Sequence, residues 1–424
     1  MPLGWMFSAL QVLLVNLGIP KSTIGFLSSA SLPWNLKFLW SPLVDRFALP
    51  WPGRRRSWVM VMQLALAGTY GVLAAITWRA FAAKAAGAPL ASIALSIGLL
   101  AVAVAFLSAT QDIALDAYAV EVMHRDEQGP VSGLRVMYYR IGMLLAGNAA
   151  VSITDAVGWP VVCLLTGGAF ALFVLLTLAA PEPEVPAPAP RSLAKAVVEP
   201  IRTFFARSDA LPIALFLVFY KFGDNMAGTM VNPFLKDLCF TNAEFAIVKT
   251  IGIAGTIAGA AVGAALMTRM GLGRALWIFG VLQAGANVVY SAAAMARAAP
   301  LDVARCAALP ALDLATRGWT YGAIASEYAA QGMAAAAQGA LLLRVCDRRY
   351  AATQFALLTS LFGMGRWTAG IPSGVLVERL GYPIFFVGCA TVAALPGFLF
   401  LARIAPLRQR EVLVAEAPVD GPTA

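Results

Sequence analysis

A chain of 424 residues of which 60% are hydrophobic and 12% charged carries more apolar surface than one soluble core can hide. The net charge of +9 could suggest nucleic acid, but the cations form no stripe interleaved with aromatics; they recur in short clusters between apolar segments, as membrane orientation requires. The five cysteines and the single histidine, His124, lack metal-ligand spacing, and no nucleophile stands beside a base, so the reading expects no metal, no cofactor and no enzyme active site.

Apolar runs bounded by charge, Pro or Gly give twelve spans, at about 1–17, 22–43, 57–79, 90–121, 131–153, 160–180, 209–231, 244–268, 274–296, 317–345, 353–377 and 382–403. Nothing at the start has the basic head and cleavage site of a secretion signal, so the first run is read as a membrane helix, and a shortened one. With both termini cytoplasmic, 17 cations fall on the inner side, 8 on the outer and 6 within spans, which is the expected asymmetry.

Pro181-Glu182-Pro183-Glu184-Val185-Pro186-Ala187-Pro188-Ala189-Pro190 is too rich in proline for a helix and separates six spans from six. The domain reading follows: a six-helix bundle at 1–180, a cytoplasmic linker at 181–208, a second bundle at 209–405 and a disordered cytoplasmic tail at 406–424. Two internal matches suggest duplication. Gly53, Arg54 and Gln63 recur as Gly273, Arg274 and Gln283, and Gly158-Trp159-Pro160 recurs as Gly381-Tyr382-Pro383. The fold class is therefore an all-α membrane protein of twelve transmembrane helices in two pseudo-symmetric halves.

The fourth span ends on Ala109-Thr-Gln-Asp-Ile-Ala-Leu-Asp-Ala-Tyr-Ala-Val-Glu121, which puts Asp112 and Asp116 on one helix face. An acid inside a bilayer costs about 2.5 to 3.5 kcal/mol on insertion scales, so such groups face a partner or a watered cavity. Either they pair with cations such as Lys37 and Arg135 as structural charges, or they share a proton when the cavity closes and couple transport to a proton gradient. Asp224 joins them as a candidate proton-coupling acid. Lys221 and Asp224, three apart, can also form an internal salt bridge. Glu327, Gln331 and Gln338 make a polar stripe on the tenth span, and Arg140 and Arg366 sit mid-span in the two halves, each able to hold a carboxylate by two parallel hydrogen bonds. Gln111, Tyr139, Arg140, Lys221, Asn225, Glu327, Gln331 and Arg366 form the candidate substrate-binding set. Tyr118, Tyr138, Tyr139, Tyr220, Tyr328 and Trp367 could stack on sugar rings. Gly255, Gly259 and Gly263 are read as a helix-packing stripe.

Ser41-Pro-Leu-Val-Asp-Arg46 with Gly53-Arg-Arg-Arg56 resembles the signature between the second and third helices of the major facilitator superfamily, in which Asp45, Arg46, Arg54 and Arg55 would gate one facing state. The longer run Ser31-Leu-Pro-Trp-Asn-Leu-Lys-Phe-Leu-Trp-Ser-Pro-Leu-Val-Asp-Arg46 resembles the AmpG-type muropeptide permeases, in a group that includes acetyl-coenzyme A transporters. So do Ala109–Glu121, Tyr138–Met143, Tyr220–Gly228, Pro233–Leu235, Cys346–Leu358 and Pro372–Gly374. The resemblance implies a monomeric permease of the Gram-negative inner membrane that imports anhydromuropeptides, anionic sugars or sugar-peptides, for cell-wall recycling, driven by protons. Acetyl-coenzyme A or another anionic metabolite is the alternative cargo, because the arginines specify an anion only, and a sensor that does not transport is the reading from a different class.

Overall fold

The computed structural model describes residues 2–19, 32–47, 51, 53–124, 126–181, 193–238, 240, 242–295 and 314–404. The tail at 406–424 lies outside the described residues. Among those described, the chain is helical throughout, and the helices pack as two six-helix halves.

Helix α1 runs from Pro2 to Leu17 with a π-turn at Trp5–Ala9, and closes on Gly18 in the left-handed region (φ 81°). Helix α2 is interrupted: Leu32–Leu36, a 3₁₀ turn at Lys37–Leu39, then Ser41–Arg46. Pro42 explains the last break. It has no N–H to offer the Phe38 carbonyl, and the Ser41 hydroxyl supplies that hydrogen bond instead (3.0 Å). The third and fourth helices, α3 (Arg54–Ala85) and α4 (Ala91–Val122), each have 32 residues, about 48 Å at 1.5 Å per residue, and so extend beyond a hydrocarbon core. Helix α5 is Gln128–Leu144 extended by a π-turn at Leu145–Ala149, and α6 is Trp159–Ala179.

In the second half α7 is broken between Ala210–Phe219 and Phe222–Asp237, placing Lys221 at the break. The stretch Asn242–Met295 turns at Gly271 (φ 76°, ψ 162°) into α8 and α9, α10 is Leu314–Val345, and Ala351–Ala390 turns at Gly381 (φ 73°, ψ 161°) into α11 and the start of α12, which ends at Leu395–Leu401. Among the described residues, six helical stretches are long and apolar enough to cross a bilayer, and two of these contain the Gly271 and Gly381 turns. The proline run after Pro181 lies outside the described residues; beyond it, Leu193–Phe205 is an amphipathic helix with Pro200 inside it.

The duplication shows in matching geometry. Gly158 (φ 79°, ψ 158°) and Gly381 adopt one conformation before Trp-Pro and Tyr-Pro, a region open to glycine and costly for residues with a Cβ. Tyr70 stacks on Phe170 in the first half (5.9 Å, 8°), and Tyr290, 220 positions later, stacks on Phe386 in the second (5.2 Å, 27°).

Among the described residues, three apolar cores hold the helices together. One belongs to the first half (Trp5, Tyr70, Phe170), one to the second (Phe234, Tyr290, Phe386), and the third joins residues of both, including Val44, Ile113 and Ala117 with Phe216, Met267, Leu341 and Phe355. The shared core lies at the end that carries Asp45. The halves are thus fused at one end and have separate cores at the other. Close approach reinforces the fused end: a Cβ on Gly133 of α5 would lie 2.7 Å from the Ala260 carbonyl oxygen of α8. The glycine stripe packs within the second half, as its spacing predicts, since a Cβ on Gly259 would lie 1.9 Å from the Ala329 carbonyl oxygen of α10.

Candidate substrate path and gate

Asp45 ends α2 fully buried, and its carboxylate crosses to the other half. Oδ2 accepts from the Thr353 backbone N–H (2.8 Å) and hydroxyl (2.6 Å), and Oδ1 accepts from the Ala352 N–H (3.3 Å), all in the first turn of α11. Those amides have no partner within their own helix and carry the positive end of its dipole, so an anion is the fitting cap. Arg55, 1% exposed, donates to Asp45 Oδ1 (2.7 Å), to the Val44 carbonyl (2.9 Å) and through Nε and Nη2 to Glu121 Oε1 (2.8 and 2.5 Å). Arg54 donates to the Asp45 carbonyl. The structure thus brings Asp45, Arg54 and Arg55 of the gating set together at this end. Arg46 does not; it lies over the Phe47 ring (5.6 Å) outside the cluster. Glu121 and Thr353 are members that the gating assignment from sequence omitted, although both lie inside stretches that carried the resemblance.

The linker helix braces the same end. The Tyr350 hydroxyl donates to Glu199 (2.5 Å), and Gln354 donates to the Pro200 carbonyl (3.1 Å) and the Thr203 hydroxyl (3.2 Å) while accepting from the Asp347 N–H (2.7 Å). The hydrogen bond to Glu199 pushes the Tyr350 hydroxyl up to about 12, so it keeps its proton and its tie through neutral pH. A raised acid of this kind adds stability below its unfolded value of about 10 and loses it only as pH rises through about 12.

The acids of α4 part ways. Asp116 is held by Lys37 (3.1 Å) on one oxygen and by Arg135 on the other, and the Arg135 guanidinium lies over the Phe355 ring of α11 (5.7 Å). Both oxygens of Asp116 thus lie against cations from neighbouring helices. Lys37 and Arg135, named from sequence as structural charges, are the two cations on Asp116. Asp112 stands within electrostatic reach of both cations and of Tyr139.

In the second half Lys221, Asp224 and Glu327 are buried together. The Gln331 amide donates to Asp224 Oδ2 (3.1 Å) and reaches Glu327 Oε1 (3.5 Å), the Tyr290 hydroxyl reaches Glu327 Oε2 (3.4 Å), and Lys221 donates to the Gln331 carbonyl (3.4 Å). Lys221 thus turns to a carbonyl, and no direct Lys221–Asp224 salt bridge forms among the described residues. Asn225 has its Nδ2 buried without a partner among them.

Arg140 of α5 and Arg366 of α11 both stand within electrostatic reach of Lys221 and of Tyr139. Tyr139 is 45% exposed, and Arg366 is exposed too. One arginine from each half thus converges beside the buried cluster. Gln111 does not belong here: it lines a cavity of about 340 Å³ between α3, α4 and α6 with Gln63, Tyr118 and Thr177. Among the aromatics, Tyr118 donates to the Pro181 carbonyl and Tyr220 is buried on the Leu276 carbonyl, so neither faces the converging arginines, and the Trp367 side chain lies outside the described residues.

Over 404 residues the chain is 36% identical to the anhydromuropeptide permease of Escherichia coli, covering 95% of this chain and 76% of that protein. The chain belongs to the AmpG anhydromuropeptide permease family. An AmpG-named transporter of Rickettsia felis is 32% identical, covering 95% of this chain and 92% of its own length. Residues 1–156 match the family model described as acetyl-coenzyme A transporter 1.

Solved structures place the AmpG fold among major facilitator transporters. The proton:xylose symporter XylE superposes with a TM-score of 0.65 at 12% identity, covering 95% of this chain and 91% of that one. A bacterial homologue of the iron transporter ferroportin in its outward-facing state also gives 0.65, at 14% identity, covering 96% and 95%. As an AmpG-family member with this fold, the chain is a membrane transporter and not an enzyme.

Proposed function

We propose that the protein imports anhydromuropeptides across the bacterial inner membrane, one chain per transport unit, by proton-coupled alternating access. The observation that carries this reading is that Arg140 and Arg366, one from each half, stand within electrostatic reach of the same buried Lys221 and half-exposed Tyr139. A carboxylate of the sugar-lactyl or peptide moiety would bridge the two guanidiniums and draw the halves together. Tyr139 and Asn225 would orient the sugar.

The cation asymmetry of the sequence orients both termini and the Asp45 end to the cytoplasm, which makes the described state outward-facing. Rocking to the opposite state must separate Asp45 from the α11 amides and release the linker-helix ties, so substrate binding has to outweigh those contacts.

A second reading keeps the mechanism and changes the cargo to acetyl-coenzyme A, whose phosphates suit the same arginines; the match of residues 1–156 favours it. Uptake into liposomes with an imposed pH gradient separates the two. Labelled anhydromuropeptide is expected to accumulate and to be competed by unlabelled anhydromuropeptide, with little effect of acetyl-coenzyme A. The reverse pattern makes the second reading correct.

A further inference from the structure

Lys221, Asp224 and Glu327 expose 5%, 4% and 4% of their surfaces. Asp224 Oδ2 accepts from Gln331, while Asp224 Oδ1 is buried with no hydrogen-bond donor among the described residues. The same Gln331 amide reaches both acids, Asp224 Oδ2 at 3.1 Å and Glu327 Oε1 at 3.5 Å, and so draws the two carboxyls around one donor. Two ionised carboxylates around a single buried amide are both acceptors only, and like charges so placed repel. A proton on Glu327 removes that repulsion and adds a second donor beside Asp224, whose Oδ1 has none among the described residues. The charge count agrees: Lys221 offsets one acid, and a single proton neutralises the other.

We infer that the Asp224–Glu327 pair, with Lys221 beside it, is the seat of the transported proton. The inference rests on the proton-coupled reading above and moves its centre from α4 to the second half, since both oxygens of Asp116 already face cations. The groups facing the pair are Lys221 from α7, Tyr290 from α9, Tyr328 from α10, Cys389 from α12 and, across the site, Arg140 from α5 and Arg366 from α11.

The two arginines supply the coupling. Empty, their positive field favours the ionised pair and expels the proton. An anionic substrate seated on them cancels that field, so the pair takes a proton up with the substrate and gives it back when the substrate leaves. Proton and anion then bind with positive linkage, which is what symport requires.

The test uses full-length protein in liposomes, labelled anhydromuropeptide and an imposed pH gradient. Glu327→Gln keeps the shape and a donor but carries no dissociable proton. Its expected behaviour is exchange of substrate between the two sides within about twofold of wild type, with gradient-driven accumulation lowered at least tenfold; Asp224→Asn should repeat the pattern. Accumulation by Glu327→Gln equal to wild type overturns the pair while leaving proton coupling intact. A wild-type protein that ignores the gradient overturns the coupling itself. Loss of exchange in both variants, with melting temperatures like wild type, makes the pair a substrate contact and overturns its role as proton seat.

Discussion

At the scale of single residues, the closed end depends on Asp45, because one buried carboxylate answers Arg55 and two backbone amides of α11 at once. Removing one partner of a buried ion pair costs about 3 to 5 kcal/mol, since the charge left behind has lost its solvent without gaining a substitute. Asp45→Ala is therefore expected to destabilise the closed end by an amount in that range. The check is alkylation in a variant that keeps only Cys346, a thiol buried at the same end, and labelling should speed up markedly. Across the molecule, Arg140→Lys and Arg366→Lys keep the charge and lose the planar fork. Each would give up one charge-assisted hydrogen bond, about 1.5 to 3 kcal/mol, or roughly ten- to hundredfold in substrate affinity measured by competition. Arg348→Lys, at an exposed contact with the Met123 carbonyl, should leave affinity unchanged.

Among elements, two glycines separate stability from conformational preference. Gly259 lies against the α10 backbone inside one half, where a methyl group would meet the Ala329 carbonyl at 1.9 Å and neither helix can yield without opening the bundle. Gly259→Ala is expected to cost about 1 to 3 kcal/mol and to lower the melting temperature in detergent, whereas Gly285→Ala, with nothing within 4 Å, should not. Gly133 faces the other half. Its methyl group would meet the Ala260 carbonyl oxygen at 2.7 Å and Ala264 at 2.4 Å, so Gly133→Ala obstructs only the closed arrangement of α5 against α8. That variant is expected to keep its melting temperature within a few degrees and to raise Cys346 labelling.

For the whole molecule, one core shared by both halves at the Asp45 end and a separate core in each half are the packing that the proposed outward-facing state requires. In sealed spheroplasts, a membrane-impermeant maleimide should reach Tyr139→Cys from the outer face, and added anhydromuropeptide should slow that reaction. Labelling only after the cytoplasmic face is exposed would reverse the assigned orientation.

Sequence by itself determined the class and the count of helices, because apolar runs of bilayer length have few other folds open to them. It also determined the duplication: Gly158 and Gly381 mark equivalent turns since each needs the same backbone conformation, and local conformation is written in local residues. Tertiary structure decided which charges answer which. Asp112 and Asp116 lie on one face by their spacing, yet Asp116 is taken by Lys37 and Arg135 from helices that the fold brings to it. Glu121 joins the Asp45 cluster because α3 delivers Arg55 to it, and Gln111 lies apart from Arg140 and Arg366 because its side of α4 faces α3 and α6. A helical period fixes the angle between two side chains on one rod, whereas the partner across the gap depends on how neighbouring rods are rotated, and that rotation comes from packing distributed over the whole bundle.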